Sequence, residues 1–195
     1  MIDPSNITNY ELSDSELEEH LLFWILVAGK TAKTTAVMLE KLISKMRTAC
    51  PRNMSPFGLI RYLHSHSKNP HWLAMWMKET GIGCYKNKAR GFIEVAYSNL
   101  NLKTCTVEDL EKVHSIGLKT SRCFVIHSRK NAQHAGLDVH VLSYLKDKGY
   151  DVPKQTPASK KKYLELEGLF IKLANRSGMP LSEFDLKIWR KYSGN

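Results

Sequence analysis

Apolar residues recur at helical spacing along most of this chain, and no stretch shows sustained apolar alternation. Between Thr31 and Thr48, Ala36, Leu39, Leu42, Ile43 and Met46 fall on one face and lysines on the other. A period near 3.6 suits a helix buried on one side, whereas a half-buried strand needs a period of two. The pattern predicts an all-α fold. Local signals divide it into helices. Ser15-Glu16-Leu17-Glu18 reads as a capping box opening an apolar helix that ends near Gly29. Pro51 and Pro56 break the chain, and Ser55-Pro56 opens a short helix through Leu63. Pro70 starts another, with Trp72, Leu73, Trp76 and Met77 on one side. Further helices are expected over residues 89–100, 106–113, 117–129, 138–148, 159–176 and 182–191.

With 195 residues, 43% of them hydrophobic, the chain is long enough to bury a core as one domain or two small lobes. A net charge of +10 favours a polyanionic partner. The apolar run from Leu21 to Gly29 is too short to span a bilayer, and Met1-Ile2-Asp3-Pro4 does not begin a secretory leader. An intracellular protein with no membrane partner is expected. Cys50, Cys84, Cys105 and Cys123 are scattered without a CxxC pair, and His64 and His66 lack a third ligand nearby. Neither a disulfide framework nor a metal or cofactor site is expected.

The chemistry concentrates in two segments. Val113-His114-Ser115-Ile116-Gly117-Leu118-Lys119-Thr120-Ser121 reads as a short glycine turn between two helices, with a lysine just past the glycine. Leu137-Asp138-Val139-His140 then puts a carboxylate at the start of a later helix. A helix start offers unpaired backbone N–H groups and a partial positive charge, a seat for phosphate. A deprotonated lysine is a nucleophile, and an aspartate can face a developing cation or orient a proton transfer. Phosphate seat, amine and carboxylate together point to chemistry on a nucleic-acid sugar.

This pattern resembles the helix-hairpin-helix DNA glycosylases, the group that includes endonuclease III and the 8-oxoguanine glycosylases. Ile116, Gly117, Lys119 and Asp138-Val139-His140 match the family's hairpin and its following Asp-x-His. Gly83-Cys84-Tyr85-Lys86-Asn87-Lys88-Ala89 looks like its glycine-aromatic-x-x-Lys-Ala entry, and Leu21-Leu22-Phe23-Trp24-Ile25-Leu26 like its apolar start. Phe184-Asp185-Leu186-Lys187-Ile188-Trp189 is similar to the Asp-Leu-x-x-Trp ending of the short archaeal-type 8-oxoguanine glycosylases. The likeness covers most of the chain from about residue 18, and the order and spacing of the motifs carry it more than any one alone.

The resemblance implies two helical lobes with an active cleft between them, one formed by residues 1–30 plus 137–195 and the other by 31–136. It implies a monomer that needs no cofactor and works on double-stranded DNA with a flipped lesion base, most directly an oxidised purine such as 8-oxoguanine. Lys119 would attack the sugar C1′ and form a Schiff base, and Asp138 would both cap its helix and stabilise the sugar cation. Gly117, Thr120, His140, Lys30 and Lys88 are the expected DNA contacts, with Trp189 as the plate of the base pocket. Some relatives carry an iron–sulfur cluster on four C-terminal cysteines, for which nothing after Cys123 supplies ligands.

Departures from the family fall at the edges of this constellation. Ser115 stands where the first hairpin glycine is usual, so a residue with a Cβ must make the turn, and Ser121 replaces the usual alanine. The archaeal-type enzymes also use a C-terminal lysine at the base, where this chain reads Ser193-Gly194-Asn195. Each residue also has an ordinary alternative: a surface lysine, a helix cap, a core tryptophan, a solvated loop at Lys30. Two other functions fit the same fold, a phage-type thymine-hypermodification enzyme and a catalytically silent DNA-binding module. Retention of Lys119 and Asp138 in register favours base excision.

Overall fold

The computed structural model describes residues 1–28 and 31–193. Among these the regular elements are helical, with no strand. The α-helices run α1 (Asp14–Val27), α2 (Ala32–Thr48), α3 (Pro56–His66), α4 (Trp72–Glu79), α5 (Tyr85–Tyr97), α6 (Val107–Glu111), α7 (Leu118–Ser128), α8 (Val139–Asp147), α9 (Lys160–Ser177) and α10 (Leu181–Tyr192). They form two compact units: Met1–Pro4 with Leu12–Ile116, and Ser5–Glu11 with Gly117–Asn195. Several boundaries move from those the sequence signals suggest, two of them for a visible reason. The capping box of α1 is made by Ser13 with Glu16, two residues earlier than Ser15. Helix α5 starts at Tyr85 because Cys84 takes a left-handed conformation, φ 53°, and turns the chain there.

In the first unit α1 is the central element. Its apolar run is buried all round, with Leu21, Leu22 and Phe23 wholly inaccessible, so it needs neighbours on every side. It packs on α2, α3 and α5. Two polar links fix its ends. Glu18 Oε2 accepts the Phe57 N–H at 2.8 Å, at the start of α3. Lys88, on α5, donates from Nζ to Leu26 O at 2.6 Å, satisfying a carbonyl that the last turn of α1 leaves unpaired. These contacts place α1 in the unit that holds α2–α6.

The second unit is built from α7–α10 and the segment Ser5–Glu11. Its core gathers Ile126, Leu137, Val141, Leu142, Leu145, Tyr163, Leu166, Phe170, Phe184 and Ile188. Tyr144 meets Phe170, Phe184 and Tyr192 edge-on. Several contacts tie on the N-terminal segment, among them the Arg190 guanidinium, which donates to Ser5 O. Asn9 N–H donates to His127 O at 3.0 Å, Thr8 Oγ1 lies 2.8 Å from His127 Nδ1, and the Tyr10 and Ser182 hydroxyls are 2.5 Å apart.

Candidate active site

The turn before α7 is made by a serine with positive φ. Ser115 has φ 67°, a conformation that costs a residue with a Cβ roughly 1–2 kcal/mol. Its hydroxyl donates to Asn87 O at 2.9 Å, and the neighbouring His114 N–H donates to Glu94 Oε1 at 3.1 Å. Both bonds run to α5 and hold the turn against it.

Gly117 is the N-cap of α7, in ordinary extended geometry (φ −99°, ψ −174°). No positive φ demands a glycine here, and a Cβ added to it would meet nothing within 4 Å. The residue is exposed, and no side chain caps the helix. The first-turn N–H groups of α7 therefore open onto space that a Cβ would narrow, the condition for close approach by an anion. Thr120 also lies in this turn and is buried.

Lys119 is the second residue of α7 and half-buried. Its amine has no hydrogen-bond or ion-pair partner among the described residues. Asp138 is the N-cap of α8. Its Oδ1 accepts from both the His140 and the Val141 N–H, each at 2.9 Å. The other carboxylate oxygen takes part in no hydrogen bond among the described residues. Capping thus uses one oxygen and leaves the second for another task. His140 is half-buried at the same helix start.

The charges of Lys119 and Asp138 both act on Cys123, one turn after the lysine. Burial pushes the Cys123 thiol far up; the Lys119 charge pulls it down, and Asp185 and Asp138 push it up. Three charged side chains therefore bear on one buried sulfur. Gly136 explains the approach of the aspartate. A Cβ there would sit 2.1 Å from Cys123 Sγ, so only a glycine lets the segment entering Asp138 lie directly on α7.

Asp185, on α10, is a member that sequence reasoning missed. Burial raises its carboxyl above the usual aspartate range, and the Asp138 charge adds to that; a hydrogen bond from His127 and the Lys119 charge oppose it. His127 Nε2 lies 3.2 Å from Oδ2, while the buried Oδ1 has no hydrogen-bond partner among the described residues. Its signal in the sequence is its spacing of four from Trp189, which puts both on one face of α10. Trp189 is half-buried and stays outside the aromatic cluster of Tyr144, Phe170, Phe184 and Tyr192.

Two expected DNA contacts do not join this site. Lys88 is only 5% exposed and spends its amine on Leu26 O, so it is a buried helix cap and not a surface cation. Lys30 lies outside the described residues. Among the described residues no three His, Cys, Asp or Glu side chains group so as to hold a metal ion, and no helix is long and apolar enough to cross a membrane.

Two solved structures superpose over nearly the whole chain. One is the 8-oxoguanine DNA glycosylase of Thermotoga maritima, at TM-score 0.73 and 21% identity over 98% of this chain and 88% of that one. The other is the Methanocaldococcus jannaschii 8-oxoguanine glycosylase/lyase in complex with a 15-mer DNA containing 8-oxoguanine, at TM-score 0.68 and 23% identity over 95% and 84%. This chain has their fold. No family model matches it.

Proposed function

We propose that this chain is a DNA glycosylase with β-lyase activity, acting through a lysine Schiff base on a damaged base, most directly an oxidised purine such as 8-oxoguanine. The observation that carries the reading is the pair Lys119 and Asp138: an amine and a carboxylate oxygen that have no partner among the described residues, in side chains whose charges act on the same buried thiol. The fold shared with two 8-oxoguanine glycosylases supports it. So does the net charge of +10, which suits a phosphate backbone.

In this reading a nucleotide is turned out of the duplex, with its phosphate against the open start of α7 at Gly117 and its base against Trp189. Neutral Lys119 attacks C1′. The bond from C1′ to the base breaks, and the base leaves with the electron pair and takes up a proton. Positive charge grows on the sugar ring as that bond lengthens, and the Asp138 carboxylate faces it. Opening of the sugar gives an imine on Lys119. Loss of a C2′ proton then expels the 3′ phosphate and nicks the strand.

The test is a panel of duplexes, each with one modified base or an abasic site, read on a denaturing gel and by borohydride trapping. Wild-type protein should nick at least one oxidised-purine duplex and become covalently attached to it on reduction, because only an imine is reduced to a stable link. Lys119→Gln should lose trapping and keep DNA binding. Salt-sensitive binding without nicking or trapping on any duplex would leave a silent DNA-binding module.

A further inference from the structure

The segment that enters Asp138 has no helix of its own, yet its backbone is held almost entirely by buried side chains. The Tyr163 hydroxyl donates to Ala135 O at 2.8 Å and accepts from the Leu137 N–H at 2.9 Å. Thr156 Oγ1 donates to Leu137 O at 2.7 Å. The Ala135 N–H donates to Glu167 Oε1 at 2.9 Å. Both backbone groups of Ala135 and both of Leu137 are therefore taken by side chains.

The same side chains reach the lysine. Glu167 receives Arg122 Nε at 3.0 and 3.2 Å on its two oxygens. Arg122 Nη1 donates to Leu118 O at 3.1 Å, the carbonyl next to Lys119. The guanidinium lies 5.0 Å from the centre of the Tyr163 ring. Arg122, Tyr163 and Glu167 are 1%, 0% and 4% exposed, so the linkage is dry. A continuous chain of contacts thus runs from the residue beside Lys119, through Arg122 and Glu167, to the residues beside Asp138. A buried ion pair is a poor source of stability, because desolvation offsets most of its attraction and apolar side chains would serve as well. A planar guanidinium on a two-oxygen acceptor does supply fixed geometry.

We propose that Arg122, Tyr163 and Glu167 are positioning residues that set the Asp138 carboxylate relative to the Lys119 amine, with Tyr163 acting on the aspartate side. The inference rests on the glycosylase reading for its effect on rate, but not for its effect on the Asp138 segment.

Tyr163→Phe removes both hydroxyl bonds and keeps the ring on Arg122. Thr156→Val removes the bond to Leu137 O at a half-buried site and serves if the tyrosine variant does not fold. In either variant, amide hydrogen exchange at Leu137, His140 and Val141 should quicken about tenfold, the loss of roughly one hydrogen bond. Single-turnover excision with saturating protein should fall about tenfold, as loss of alignment between reacting groups does. Nicking at a preformed abasic site, which needs the lysine but no departing base, should stay within about twofold, as should DNA affinity. Unchanged exchange at His140 and Val141 overturns the proposal, and so does excision that falls only in step with abasic nicking and affinity. If the wild type excises nothing, the glycosylase reading fails, and the exchange measurement by itself decides the brace.

Discussion

Two lysines in this molecule stand near the starts of two helices, each shortly after a non-glycine residue in left-handed conformation. Before α5 that residue is Cys84 (φ 53°), with Lys88 in the first turns; before α7 it is Ser115 (φ 67°), with Lys119. Their uses are opposite. Lys88 is buried, and its amine ends on Leu26 O. Lys119 is half-buried and unpartnered among the described residues. Residue type and local context are shared, so neither decides the role. What the amine meets decides it: an unpaired carbonyl makes a structural cap, and the lack of any partner among the described residues makes a candidate nucleophile.

The comparison breaks most sharply by removing the carboxylate that accompanies only the second lysine. Asp138→Asn keeps the side chain's size and, through its amide oxygen, the cap on His140 and Val141. It removes the charge facing the forming sugar cation. Excision in single turnover should fall ~100-fold or more, with DNA affinity and melting temperature little changed. Excision near the wild-type rate would reduce Asp138 to a cap.

The first lysine should answer to the opposite assay. Lys88→Met keeps a long stem but leaves Leu26 O without its buried donor, a loss of about 1–3 kcal/mol of stability. Its melting temperature should drop while trapping per folded molecule persists. Loss of trapping at an unchanged melting temperature would return Lys88 to the DNA-binding role its motif suggests.

That correction marks how far the sequence could be read. The all-α fold was legible because helical periodicity and caps are local signals; Ser55-Pro56 opens α3 as expected. The positive φ of Ser115 was not, since a residue with a Cβ disfavours that conformation and only the structure shows the turn keeping it. The fate of Lys88 was not, because its partner Leu26 lies 62 residues away. Asp185 stood in plain view beside Trp189, but its burial and unsatisfied oxygen depend on α7 and on His127. The Arg122–Glu167 pair joins side chains 45 residues apart on two helices, each of which reads as an ordinary surface charge in its own window.

Acidity sharpens the contrast between the two buried cations. The partner of Lys88 is a carbonyl, which does not titrate in this range, whereas the partner of Arg122 is a carboxylate. Burial by itself would raise Glu167, but hydrogen bonds from His134 and the Ala135 N–H, with the Arg122 charge, outweigh it and hold the carboxyl below its ordinary value of 4.5. Ionised Glu167 thus contributes stability that is present above 4.5 and lost as pH falls through the lowered folded value. The melting temperature should decline across that acid window in the wild type. Glu167→Gln should melt lower at neutral pH and decline less steeply in acid; an equal acid slope in both would remove Glu167 as the titrating group.

The smallest effect concerns the two left-handed residues themselves. Replacing either with glycine relieves roughly 1 kcal/mol of backbone strain. Glycine also gives the unfolded chain more freedom, which returns part of that gain. Cys84 is exposed and its side chain makes no hydrogen bond among the described residues, so strain relief is nearly all that changes. Ser115 differs because its hydroxyl bonds Asn87 O at 2.9 Å, an interaction worth about 1 kcal/mol. Cys84→Gly should therefore raise the melting temperature by about one degree, roughly what a few tenths of a kcal/mol give in a chain this long. Ser115→Gly should leave it unchanged or slightly lower. The order of the two variants is the test. If Ser115→Gly is the more stabilising, the hydroxyl bond does not offset the strain, and this turn is held by the His114–Glu94 bond and the packing of α5 against it.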